Sequence, residues 1–307
     1  MRIQAFIAAV ATMPSLANAA AVPVHLAPSS PWAVDYAENS CRLIRHFGEG
    51  EDKTILALES EAPGSLDMMI VSKRVDTFAE QAWARFLPLQ SKLMDGMTAR
   101  STDKRTVPVL LFSNVELLTD DSLAAEEKRQ TALKAHRKIR PPAVSLTERA
   151  ERKADRQTFA AGTTAIELYP SRNHPVILDT GSLGEPIKIF DRCSRDSLRD
   201  WGVDPDVDDK IVRPVWAPDP AAWFDSADYP RRLVVAGEES VVKVRVLVDA
   251  TGHVTKCTSL SHFEESEFNK ITCDKFTSRA HFEPAELADG TKVPSYYVTK
   301  VIFRIAQ

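Results

Sequence analysis

The chain has 307 residues, of which 44% are hydrophobic and 27% charged, and a formal net charge of −4. That length and balance suit two globular domains with apolar cores and exclude a disordered or fibrous chain. The mild negative charge, with no Lys/Arg-rich patch interleaved with aromatics, argues against a nucleic-acid partner.

Residues 1–21 read as a secretory leader rather than as part of the fold. Met1-Arg2 gives a weakly positive start, Ile3 to Val10 a short apolar run, and Ala17-Asn18-Ala19 a small-x-small cleavage site. The run is too short and alanine-rich to span a bilayer stably, which leaves an uncleaved inner-membrane anchor as the minority alternative. No Cys follows the cleavage site, so a lipoprotein is disfavoured. The expectation is a protein exported to the periplasm. Four cysteines in that compartment predict two disulfides, for which three pairings exist. The simplest keeps each bond within one region, Cys41 with Cys193 and Cys257 with Cys273.

Residues 30–200 read as a β-rich domain. Cys41 to Phe47, Lys53 to Leu58, Leu66 to Ser72 and Val107 to Leu118 have strand character, and Phe78 to Phe86 reads as helical. Residues 119–157 are rich in Ala, Glu, Lys and Arg, begin with the N-cap candidates Thr119, Asp120, Asp121 and Ser122, and are interrupted by Pro141-Pro142. No apolar heptad runs through them, so they predict a solvated helical insertion rather than a coiled coil. Short strands return over 164–200 and end in a helix at Asp191 to Asp200. The Pro- and Asp-rich stretch 201–227 holds Trp216 and Trp223, which are costly to leave in water, and so reads as an ordered connector.

From Asp228 the pattern becomes regular. Tyr229-Pro230 opens a helix. Val242, Val244, Val246 and Val248 alternate with Lys243, Arg245 and Leu247, a strand with one buried face. Asp249-Ala250-Thr251-Gly252 turns the chain into a partner strand, His253 to Ser259. Glu264 to Ala280 predicts a helix with Phe268, Thr272 and Phe276 on one stripe, and Tyr296 to Ile305 a long final strand. The fold class is α+β: a β-rich N-terminal domain, then an antiparallel sheet of about three strands packed with two helices.

Tyr229-Pro230, Gly237, Val246-Leu247-Val248-Asp249, Gly252, Val254, Arg279, Phe282-Glu283-Pro284-Ala285, Asp289-Gly290, Pro294 and Val301-Ile302-Phe303 occur in an order and spacing that resembles the C-terminal domain of TonB-family proteins over residues 228–307. The resemblance implies a non-enzymatic module that binds an extended peptide by strand addition. In the family that peptide is the TonB box of a TonB-dependent outer-membrane receptor. It places partner contacts on Tyr297, Val298, Thr299, Val301, Phe303 and Ile305, with Lys300 and Arg304 as edge-protecting charges. Cys257 and Cys273 look like a sub-branch of the family in which strand and helix are cross-linked. Trp32-Ala33-Val34-Asp35-Tyr36, Cys41-Arg42-Leu43, Phe47-Gly48, Cys193 and Trp201-Gly202-Val203-Asp204 are similar to a variable domain found ahead of this module in some alphaproteobacterial envelope proteins, a likeness that brings no activity. Ser261-His262-Phe263 stands where the family often has a Ser-Gly turn. Neither the transmembrane helix nor the long Pro-rich linker of the family's energy transducers is read here, so force transduction does not follow from the resemblance.

One run suggests catalysis. Val176-Ile177-Leu178-Asp179-Thr180-Gly181-Ser182 matches the active-site loop of aspartic peptidases, whose chemistry needs a second carboxylate sharing one proton. No second Asp-Thr/Ser-Gly occurs, so only a homodimer completes such a dyad. The seven histidines have no metal-ligand spacing, and neither a metal site nor a cofactor is read from the sequence. The alternatives to peptide recognition are therefore a dimeric aspartic peptidase using Asp179 and a structural envelope protein that self-pairs through its terminal strand.

Overall fold

The structure is a computed structural model, and it describes residues 22–37, 39–74, 81–100, 107–135, 139–170, 175–260 and 266–305. The leader at 1–21 and the corner at Ser261-His262-Phe263 lie outside the described residues.

The N-terminal part is built from β1 (Val24–Leu26), β2 (Ala33–Tyr36), β3 (Cys41–Phe47), β4 (Thr54–Ser60), β5 (Asp67–Ser72), β6 (Gln81–Leu87), β7 (Met94–Arg100) and β8 (Pro108–Phe112). There follow α1 (Asp120–Ala135), α2 (Leu146–Gly162), β9 (Ala165–Tyr169), β10 (Val176–Leu178) and α3 (Gly184–Asp200). The ten strands form one sheet in the order β1-β10-β9-β6-β7-β8-β5-β4-β3-β2. Its two ends are consecutive pieces of one segment. Val24–Leu26 pairs with β10, while Pro28 bridges Phe47, the Ser29 N–H donates to His46 O, and the Gly48 N–H donates to Ala27 O. That segment thus lies between β10 and β3, and the sheet curls into a barrel joined along it. Leu43, Leu58, Ile70, Phe86, Leu110 and Ile166 are buried in its apolar core. At the end where β3 begins and β4 finishes, α3 covers the barrel, with Cys193 bonded to Cys41 and the Ser194 hydroxyl 2.7 Å from that of Ser60.

Several expectations change here. The stretch Phe78 to Phe86, read as helical, is the strand β6 from Gln81 onward; 75–80 lie outside the described residues. Ala82 and Ala84 are helix formers, but they are buried with Phe86 while Gln81, Trp83 and Arg85 point away, and period-two packing overrides propensity. The charged stretch forms α1 and α2, yet α2 runs to Gly162 and buries Phe159 against Phe86 with ring centres 5.9 Å apart. The helix expected at Asp191 begins at Gly184, so Gly184-Glu185-Pro186 is its first turn.

The remaining elements are α4 (Pro205–Asp208), β11 (Ile211–Arg213), α5 (Arg231–Ala236), β12 (Ser240–Val248), β13 (Val254–Ser259), α6 (Ser266–Arg279), β14 (Ala285–Leu287), β15 (Lys292–Val293) and β16 (Ser295–Phe303). They make two three-stranded sheets, β13-β12-β16 and β11-β14-β15. The connector is woven into this second core: β11 pairs with β14, Trp216 bridges Glu283, and Trp223 lies 4.8 Å from the Phe282 ring. Phe268, Thr272 and Phe276 form the buried stripe of α6 as their spacing predicts, and Cys257–Cys273 ties that helix to β13. Among the described residues no helix is long and apolar enough to cross a membrane.

Candidate functional site

Strand β12 runs through the middle of the C-terminal sheet and positions the site. Val242, Val244, Val246 and Val248 are fully buried toward α6. In an antiparallel ladder, successive residues alternate in the direction of their N–H and C=O groups. The Leu260 N–H donates to Lys243 O, so Lys243, Arg245 and Leu247 aim their main-chain groups at β13. Val242, Val244 and Val246 therefore aim theirs at β16, where they face Val301, Thr299 and Tyr297. By the same alternation Tyr296, Val298, Lys300 and Ile302 turn their N–H and C=O groups outward. Among the described residues no strand pairs with that side of β16.

The residues expected to meet a partner divide accordingly. Val298 carries outward main-chain groups. Tyr297, Thr299, Val301 and Phe303 spend theirs on the β12 ladder and turn their side chains to the helix face, where Tyr297 packs 5.2 Å from Phe282 and Phe303 packs 4.8 Å from Phe268. Ile305 lies past the end of the strand, and its N–H is bonded by the Glu239 carboxylate at 2.9 Å. Sequence reasoning passed over Tyr296, Lys300 and Ile302 as edge donors because hydrophobicity marks side-chain faces, not amide direction. Lys300 is exposed opposite Lys243, as suits a charge that guards an edge.

The other face of this sheet rests on the barrel. Arg245 is only 3% exposed; its Nη1 donates to the main-chain oxygens of Asn39 and Glu61, each at 3.0 Å, and its guanidinium lies 3.5 Å over the Trp201 ring. Burial pushes its pKa down to about 10, still well above neutrality. Trp201 also meets Tyr296 edge-on at 5.7 Å, and burial raises the Tyr296 phenol. Lys243 bonds Asp67 at 2.8 Å and pairs with Glu61. Burial pulls its ammonium down, but the two carboxylates more than offset that and hold it above its ordinary value. Burial raises Glu61 in spite of Lys243.

The hairpin end of the sheet is fixed by close approach. Gly252 has φ +93°, and a Cβ there would stand 2.0 Å from Phe282 O. Gly252→Ala is expected to cost roughly 3 kcal/mol, because backbone must move as well as a strained φ being filled; denaturant unfolding measures it, and a loss under 1 kcal/mol would contradict this packing. At the opposite side, Asp228 accepts from Lys275 at 2.5 Å and Arg279 at 2.7 Å and locks the connector to α6.

Asp179 sits at the surface where β10 ends. Its N–H donates to Leu26 O, and its carboxylate faces His25 Nδ1 at 3.1 Å rather than a second carboxylate. Arg45 donates to Thr180 O at 2.7 Å. The Asp-Thr-Gly-Ser run is thus a braced connection from barrel to α3.

Residues 225–305 match the family of the Gram-negative bacterial TonB protein C-terminal. No curated protein matches the chain. The family is a non-enzymatic, transport-associated one of the cell envelope. The two helices, the β13-β12-β16 sheet and its terminal strand all fall within the matched span, so this part of the chain is similar to the TonB C-terminal domain throughout.

Proposed function

We propose that the protein is a periplasmic, non-enzymatic binding module that takes an extended peptide of an envelope partner as a fourth strand on the outer edge of β16. A TonB-dependent outer-membrane receptor is the partner class the family points to. The observation that carries the reading is the outward direction of the main-chain groups of Tyr296, Val298, Lys300 and Ile302 on a strand with one neighbour among the described residues. Strand addition draws affinity from just such groups, and specificity from alternate side chains on either face. The barrel favours the same edge, since it is closed on itself and occupies the sheet's back face through Arg245 and Lys243.

Two proline variants separate edge from ladder. Lys300→Pro removes an outward N–H and leaves the β12 ladder whole, as prolines on edge strands do. It is expected to weaken capture of TonB-box peptides or detergent-solubilised receptors at least tenfold while the protein stays folded. Val301→Pro removes a ladder donor to Val242 and is expected to cost about 3 kcal/mol of stability. Undiminished capture by Lys300→Pro, or none by the wild-type chain, overturns the reading. A second copy using the same edge would appear in light scattering as a dimer that Lys300→Pro returns to monomer.

A further inference from the structure

The hairpin tip brings together two histidines that are far apart in sequence. The Phe282 N–H donates to Gly252 O, which sets His281 beside His253. Their rings meet edge to face, centres 4.8 Å apart at 82°, and both residues are exposed.

The hydrogen bonds around His253 fix its tautomer. The Asp249 carboxylate only accepts. It takes the Thr251 N–H at 2.8 Å, the His253 N–H at 3.0 Å and the Thr251 hydroxyl proton at 2.6 Å. With its one proton committed to Asp249, the Thr251 oxygen can only accept from His253 Nδ1, 2.8 Å away. Neutral His253 is therefore protonated on Nδ1 and presents the lone pair of Nε2. A hydrogen-bond acceptor of this kind, here a hydroxyl held by a carboxylate, is a usual support behind a metal-ligating imidazole, since it fixes the tautomer and orients the ring.

We propose that His253 and His281 form a two-imidazole site for a divalent transition ion of the zinc class. A tetrahedral ion about 2.0–2.1 Å from each nitrogen places the ring centres about 5 Å apart; the fold holds them 4.8 Å apart edge to face, so a turn of the exposed His281 ring about its side-chain bonds brings one of its nitrogens beside Nε2 of His253. Among the described residues no group of three or more His, Cys, Asp or Glu is placed to hold a metal. The pair thus supplies two ligands and water the rest. Thr251 is a positioning residue that acts through His253. The site stands on geometry separate from the β16 edge.

The test is calorimetric titration of the full mature chain with Zn²⁺ alone, disulfides intact, with circular dichroism to check folding. One equivalent is expected to bind with a Kd below about 100 μM. His253→Ala and His281→Ala should each weaken it at least tenfold, and Thr251→Val about tenfold, the lower end of what the loss of a supporting partner costs. In histidine NMR spectra, Zn²⁺ should shift Nε2 of His253 and leave Nδ1 protonated. No binding in that range, or binding indifferent to either histidine, overturns the proposal.

Discussion

Replacing Cys41 and Cys193 together by Ser is expected to cost about 5 kcal/mol of stability, in the chain-entropy treatment of a cross-link. The bond spans 152 residues of sequence, against 16 for Cys257–Cys273, whose loss is expected to cost about 3 kcal/mol. The long-range bond is the larger because its unfolded chain regains more freedom. It also fastens α3 onto the start of β3, where both cysteines are buried in the barrel core. A domain is stable by only about 5–15 kcal/mol, so the double variant should stand near its unfolding threshold. Urea unfolding of the oxidised, reduced and double-Ser proteins measures this. A difference below about 1 kcal/mol would mean that α3 is held by packing alone.

Arg245→Ala is expected to destabilise by about 3 kcal/mol and to loosen the C-terminal sheet from the barrel. Hydrogen bonds to a charged donor contribute about 1.5–3 kcal/mol, and a desolvated cation over an indole about 2 more. The relief of burying a guanidinium offsets part of that sum. What remains after truncation is a part-buried carbonyl, Asn39, and a buried one, Glu61, without this donor. Arg245→Lys should recover less than half, because an ammonium offers neither the planar stack on Trp201 nor the fork. Amide exchange around Asn39 and Glu61 should quicken in Arg245→Ala while the barrel strands stay protected. Unchanged exchange there would show that the two cores hold together without Arg245.

Where one periodicity dominates, the sequence reports the structure well. The valines of β12 and the stripe Phe268, Thr272, Phe276 mark their buried faces directly, and β3 keeps the bounds its pattern predicts. Ambiguity enters where propensity and pattern disagree, as at Ala82 and Ala84 in β6. It enters again where polar residues and glycine hide a strand, as with Asp95 and Gly96 in β7, which no sequence pattern marks. Barrel closure has no local signal, because it rests on Ala27 to Ser29 meeting His46 to Gly48 and on β1 meeting β10. The site was legible as an edge strand, but not which of its main-chain groups face outward. Which amides of β16 face outward depends on its register with β12 and on the register of β12 with β13, which no single segment encodes. For that reason Val301, which hydrophobicity nominates, is a ladder residue, and Lys300, which charge alone would set aside, offers an outward N–H. The His253–His281 pair is hidden likewise, since only the approach of Phe282 to Gly252 brings the rings together.

The most direct measurement is amide hydrogen exchange by NMR on the mature protein, with and without a TonB-box peptide. Strand addition predicts new protection at the amides of Val298, Lys300 and Ile302, alternating with residues 299, 301 and 303, whose amides are protected already by β12. Protection that appears elsewhere, or on none of these amides at saturating peptide, would contradict the edge of β16 as the binding site.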